Sequence, residues 1–161
     1  MLFNFFSKAT KKHEQKEENK TEFIIEINDR LCDKSDYGEN LSALTEEERV
    51  FFIVNELEQE VNNGGFSQYL YNSSGDHAHR AVECLQIVGA VQMGEICRTA
   101  LAAYGEPIPQ DREERQGFLE EYETEKVESI LNECDSQFCK YPDDLEELNY
   151  RYIMENREKF T

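Results

Sequence analysis

The sequence has no tryptophan, only three prolines and few cations, with 17 Lys and Arg set against 35 Asp and Glu. Without tryptophan, the ten Phe and eight Tyr must supply the large rings of any core. So few prolines exclude a proline-rich linker or stalk. No apolar run approaches the roughly eighteen residues of a membrane span. The LFNFF run near the start is too short for a secretory h-region, and its lysines follow it instead of preceding it. Five cysteines, an odd number with no framework spacing, do not describe a disulfide scaffold. Together these features predict a cytoplasmic protein with reduced thiols.

The formal charge is −18. Residues 1–20 carry five Lys and three Glu, a balance of +2, which leaves −20 for the remainder. That body would be repelled by nucleic acid and by anionic membranes, so direct binding of either is not expected. A basic partner is favoured electrostatically, although the same charge can simply solvate a surface.

A length of 161 residues suits one domain with a real core. Residues 1–20 have the Lys/Glu/Gln-rich composition of a flexible tail, preceding a domain over 21–161. Phe23, Ile24, Ile27 and Leu31 fall on one helical face. Thr45 with Glu48 forms a capping box ahead of Val50, Ile53, Val54, Leu57 and Val61. Asn62–Gly65 must stop that helix, and Phe66–Tyr71 reads as a short helical segment. Ala78, Ala81, Val82, Leu85 and Val88 give the next stripe, and Gly89 kinks or ends it. Ile96, Cys97, Ala100 and Leu101 continue the helical pattern. A long helix is expected over about 111–134, and a last one after Asp143 and Asp144. No alternating strand pattern occurs. The fold class expected is all-α: a bundle-like domain of about six helices around the Asn62–Gly75 junction.

Chemistry-bearing clusters are sparse. His77 and Cys84 share a helical face near Arg80, the elements of an activated thiolate, but no orienting third group or oxyanion loop accompanies them. His79 and Glu83, and Cys134 and Cys139, each have ligand-like spacing without the further ligands that a metal needs. Gly64-Gly65 has no phosphate-loop context. Neither catalytic residues nor a cofactor nor a metal is therefore expected. Asn62, Asn63, Gln68 and Asn72 either satisfy helix-end backbone groups or line a polar pocket.

The remaining feature is acidic. On a continuous helix Glu114, Glu121, Glu125 and Glu128 fall within about 60° of one another. One such stripe is too sparse to imitate a DNA duplex, which carries about one charge per 1.7 Å. Asp143, Asp144, Glu146 and Glu147, with Glu120 and Glu123, are candidates to complete an acidic partner-binding face.

The run Asn63-Gly64-Gly65-Phe66-Ser67-Gln68-Tyr69, followed by Asn72-Ser73-Ser74-Gly75, resembles the NGGFxQY and NSxG signature of a small acidic bacterial family that includes a DNA-mimic protein. The resemblance covers about the middle third of the chain. It implies an all-helical fold, no known catalytic activity and a dimeric relative whose acidic surface occupies the DNA-binding face of a transcription factor. Within the signature, Asn63, Gly64, Gly65, Phe66, Gln68, Tyr69, Asn72, Ser73 and Gly75 are expected to be structural. The function expected is thus non-enzymatic binding of a basic DNA-binding protein, with a homodimer as the assembly. The alternatives are an immunity-type inhibitor of a toxin and a small-molecule or enzyme pocket at the NNGGF junction.

Overall fold

The structure is a computed structural model that describes the backbone of residues 3–160 and the side chains from residue 19. Seven helices follow in order: α1 (Phe3–Ser35), α2 (Glu46–Tyr71), α3 (Ala78–Val88), α4 (Val91–Ala102), α5 (Arg112–Tyr122), α6 (Glu125–Phe138) and α7 (Leu145–Glu155). Short 3-10 turns occupy Leu41–Ala43, Ser73–His77 and Arg157–Lys159. The described residues contain no strand, and no helix among them is long and apolar enough to cross a membrane. The all-α expectation holds. The tail expected over 1–20, with its LFNFF plug, falls almost wholly outside the described side chains.

α2 is the central element. Val50, Ile53, Val54, Leu57 and Val61 join the main core with α3, α4, α5 and α6. Phe51 and Phe52 point the other way, into a second cluster with Ile27 and Leu31 of α1, Leu44, Ile153 and Phe160. A helix apolar on two sides is buried on two sides. Its start is the expected capping box: Glu48 N donates to Thr45 Oγ1 at 3.2 Å, and Thr45 N donates to Glu48 Oε2 at 2.8 Å. Glu48 is fully buried, and Lys34 of α1 compensates its charge with bonds of 2.9 and 2.8 Å to the two carboxylate oxygens.

α2 breaks where the glycines require it, at Gly64 (φ −158°, ψ 22°) and Gly65 (φ 75°, ψ −178°). Gly65 is not in the left-handed helical well of an ordinary C-terminal cap. Its extended ψ redirects the chain at once into Phe66–Tyr71. α3 stops at Val88, with Gly89 as its cap, and α4 begins anew at Val91.

The helix expected over 111–134 is two helices. Glu123 (φ −64°, ψ 124°) is extended, and Thr124 caps α6 by accepting from Val127 N at 3.2 Å. Threonine favours the cap over a helix interior, and Glu125 and Glu128 then sit in the positive first turn of α6. The apolar spacing of α5 and α6 keeps phase across this break, so periodicity alone joined them.

Candidate functional site

The Asn62–Gly75 junction is closed upon itself. Phe66, Tyr69 and Leu70 are fully buried, and Phe66 stacks edge-on against Phe138 of α6 at 5.6 Å. Phe66 N donates to Asp135 Oδ1 at 2.8 Å, so α6 supplies the acceptor that the helix restart lacks. Gln68 Nε2 and Asn72 Nδ2 both donate to Glu60 Oε2, at 2.7 and 3.0 Å. Asn62 Nδ2 donates to Tyr141 Oη at 2.6 Å, and that hydroxyl donates to Glu58 Oε1 at 2.9 Å. Asn63 and Ser73 are exposed. A Cβ on Gly75 would lie 2.6 Å from Leu70 O and 2.8 Å from Tyr69 O, so only glycine fits this close chain crossing.

Arg115, which the sequence did not single out, locks this crossing. It is fully buried on α5. Its guanidinium donates to Leu70 O at 2.7 Å, Gln110 O at 2.8 Å, Asn72 O at 3.1 Å and the Asp76 carboxylate. Arg112 adds a second cation, 2.7 Å from Asp76 Oδ2. Burial pushes the Asp76 carboxyl upward, but the hydrogen bonds and charges of Arg112 and Arg115 together hold it below its ordinary range. The one signal in the sequence is that Arg115 stands four residues before Leu119, on the apolar side of α5.

The Cys–His pair does not form a nucleophile. Burial pushes the Cys84 thiol up to about 11, and nearby Arg80 lowers it only in part. Arg80 is itself paired with Glu46. His77 is half-buried, and burial lowers its pKa. His79 is exposed, and Glu83 lies 4.0 Å from Arg80. Among the described residues no three His, Cys, Asp or Glu side chains converge as a metal site.

The candidate acidic residues separate into two groups. Glu114 and Glu121 of α5 and Glu125 and Glu128 of α6 are exposed, with the break at Thr124 between the pairs. The second group follows α6 in the chain, at the start of α7, and its members have internal tasks. Asp143 accepts from Met93 N at 2.8 Å and so caps α4, whose own cap position is the alanine Ala90. Asp144 caps α7 through Glu147 N at 3.0 Å. Glu146 accepts from the Thr21 hydroxyl, and Glu147 pairs with Lys20. The ion pairs among the described residues engage Glu39, Glu46, Glu48, Asp76, Glu83, Glu95 and Glu147. No ion pair reaches Glu114, Glu121, Glu125 or Glu128 among the described residues. Glu125, Glu128 and Glu133 instead line a groove on α6 with Ser129, Asn132 and Ser136.

A cavity of about 600 Å³ opens between α1, α2 and α7, walled by Ile24, Ile25, Asn55, Glu58, Tyr141 and Asn149. Burial raises the Glu58 carboxyl, Tyr141 offsets this in part by hydrogen bonding, and the charges of Glu146 and Asp144 raise it further. A carboxyl raised in the folded state keeps its proton to higher pH than the unfolded chain does. Stability is therefore lost as pH rises from the unfolded value of about 4.3 through the folded one. Glu58→Gln, which copies the protonated form, should melt higher than wild type at pH 7.5 and coincide with it near pH 4. Thermal melts across that range check this; a variant that is destabilised at pH 7.5 would contradict it.

The model of one protein family, described as DMP19-like protein, matches residues 42–156. The chain belongs to this family. The match corrects the assignment drawn from the NGGFxQY signature: the family shown is the DMP19-like one, not a DNA-mimic family. The DMP19-like region contains all of α2 to α7, so the junction, Arg115 and the α6 groove lie inside it, and α1 precedes it. No curated protein and no solved structure matches the chain.

Proposed function

We propose that this DMP19-like protein is a non-enzymatic binding protein whose α6 face engages a basic protein surface of the kind that otherwise holds nucleic acid. The observation that supports this reading is the set of exposed carboxylates on α5 and α6 that no ion pair reaches among the described residues, while Arg80, Arg98, Arg112 and Arg115 pair with other acids. Glu125, Glu128 and Glu133 span eight residues, about 12 Å of helix. One nucleic-acid strand presents a phosphate about every 3.4 Å, so three carboxylates supply roughly half the charge density of a single strand, and Lys126 within the same stretch lowers it further. The hydroxyls and amide between them add hydrogen-bonding groups. A toxin with a basic active face would meet the same chemistry.

The test is capture from a lysate of the source cells at about 50 mM salt, where surface charges act over longer range. Wild type should retain a basic protein that Glu125→Lys/Glu128→Lys/Glu133→Lys does not. Identical retained sets would overturn the reading.

A further inference from the structure

A ladder of aromatic rings runs from the core to the surface along α5. Tyr104, just past the end of α4, lies 5.8 Å from Phe118 between ring centroids, and Phe118 stacks on Tyr122 at 4.4 Å with the planes 20° apart. Tyr104 and Phe118 are half-buried and pack on the main core, whereas Tyr122 is 39% exposed. A stack that ends in solvent leaves room for a further planar group.

Gly117, beside this ladder, is a glycine that the fold does not need. It sits in the interior of α5, where only proline is less favourable. Its φ is not positive, it is exposed, and a Cβ added to it would meet nothing within 4 Å. Its helical neighbours three and four residues either way are Glu113, Glu114, Glu120 and Glu121, all exposed. The missing side chain therefore leaves a gap among carboxylates. Glu114 and Glu121 form the row between this gap and the rings, because Phe118 lies about 40° round the axis from Glu114 and Gly117 about 60° the other way.

Rings, gap and carboxylates together select one occupant. Glu114 and Glu121 stand about 10 Å apart along the axis, too far to share a metal ion at about 2.0–2.6 Å. An apolar partner would have to strip water from the glutamates. A second copy of this chain, with its own charge of −18, would bring like charge to them. A cation fits, and the rings distinguish between cations. A guanidinium is planar, stacks on aromatic faces and forks onto a carboxylate, whereas an ammonium is a strongly hydrated point charge.

We propose that this face of α5 docks an arginine of the basic partner in the gap at Gly117, its guanidinium stacked on the Phe118–Tyr122 rings and donating to Glu114 and Glu121. The inference rests on the reading that the partner is a basic protein, but not on the α6 groove.

Titration of the full chain with end-blocked tetra-arginine and tetralysine peptides at about 150 mM salt tests it. The two peptides carry the same charge, so their affinity ratio reports the stacking and the fork. Wild type should prefer tetra-arginine by about threefold or more. Tyr122→Ala and Gly117→Gln should each bring that ratio close to unity. Gly117→Gln puts a better helix former where a Cβ meets nothing, so it should melt no lower than wild type, and its lost preference then reports the site and not unfolding. The variant Glu125→Lys/Glu128→Lys/Glu133→Lys should keep the full ratio, whatever it does to the two affinities; a ratio lost there would move the arginine to α6 and overturn the assignment. No binding of tetra-arginine, equal affinities for the two peptides, or a preference that survives Tyr122→Ala or Gly117→Gln would each overturn it as well.

Discussion

Arg115→Met should lower the melting temperature by roughly 10 °C or more, the largest single-residue effect expected in the chain. Arg115 is fully buried and its guanidinium reaches three backbone carbonyls and one carboxylate. Its removal strands Leu70 O, Asn72 O and Gln110 O and leaves Asp76 with Arg112 alone. Breaking a buried pair from one side costs about 3–5 kcal/mol, and a domain of this size shifts by about 2–4 °C per kcal/mol. Methionine fills part of the volume, so the loss reports the missing donors more than a cavity. Arg115→Lys should recover little. An ammonium cannot fork across acceptors contributed by α2, the turn that follows it and the approach to α5. Denaturant melts of both variants check this. A lysine variant within about 1 kcal/mol of wild type would show that charge, not the planar fork, holds the crossing.

The second large effect belongs to Gly65→Ala. Gly65 has φ 75° and ψ −178°, a conformation essentially confined to glycine. A Cβ there would also collide with the Asp135 carboxylate, which receives the Phe66 N–H. The backbone strain costs about 1–3 kcal/mol, and loss of the part-buried hydrogen bond from Phe66 N adds about 1 more. Asp135→Ala removes the collision and the bond but not the strain. The double variant should therefore be distinctly more stable than the sum of the two single losses predicts. Strict additivity in a denaturant-melt cycle would mean that the glycine and the carboxylate do not meet.

The sequence exposed those parts of the fold that depend on local chemistry. Thr45 and Glu48 announced the start of α2, Gly64-Gly65 its break, Gly89 the end of α3, and Asp144 the start of α7. The division of α5 from α6 was concealed because their apolar positions stay in phase, although Thr124 with Glu125 behind it was a legible cap. Asp143 looked like a surface acid because its task, capping α4 some fifty residues earlier in the chain, is visible only in three dimensions. Arg115 was missed for a related reason: its place four residues before Leu119 hints at burial, but two of the carbonyls it serves, Leu70 O and Asn72 O, lie more than forty residues earlier in the chain. The cavity between α1, α2 and α7 draws on three helices, and no short window of sequence holds its parts together. The acidic face stood between these cases. Its residues were legible, but which of them lack internal partners was not.

Whether α6 carries the binding is decided most directly by titrating the captured basic protein against wild type and Glu125→Lys/Glu128→Lys/Glu133→Lys over a range of salt. Wild type should bind at least about 100-fold more tightly than the variant at low salt. That gap should close as salt screens the carboxylates. Equal affinities at low salt, or a wild-type affinity indifferent to salt, would contradict the α6 face as the binding surface.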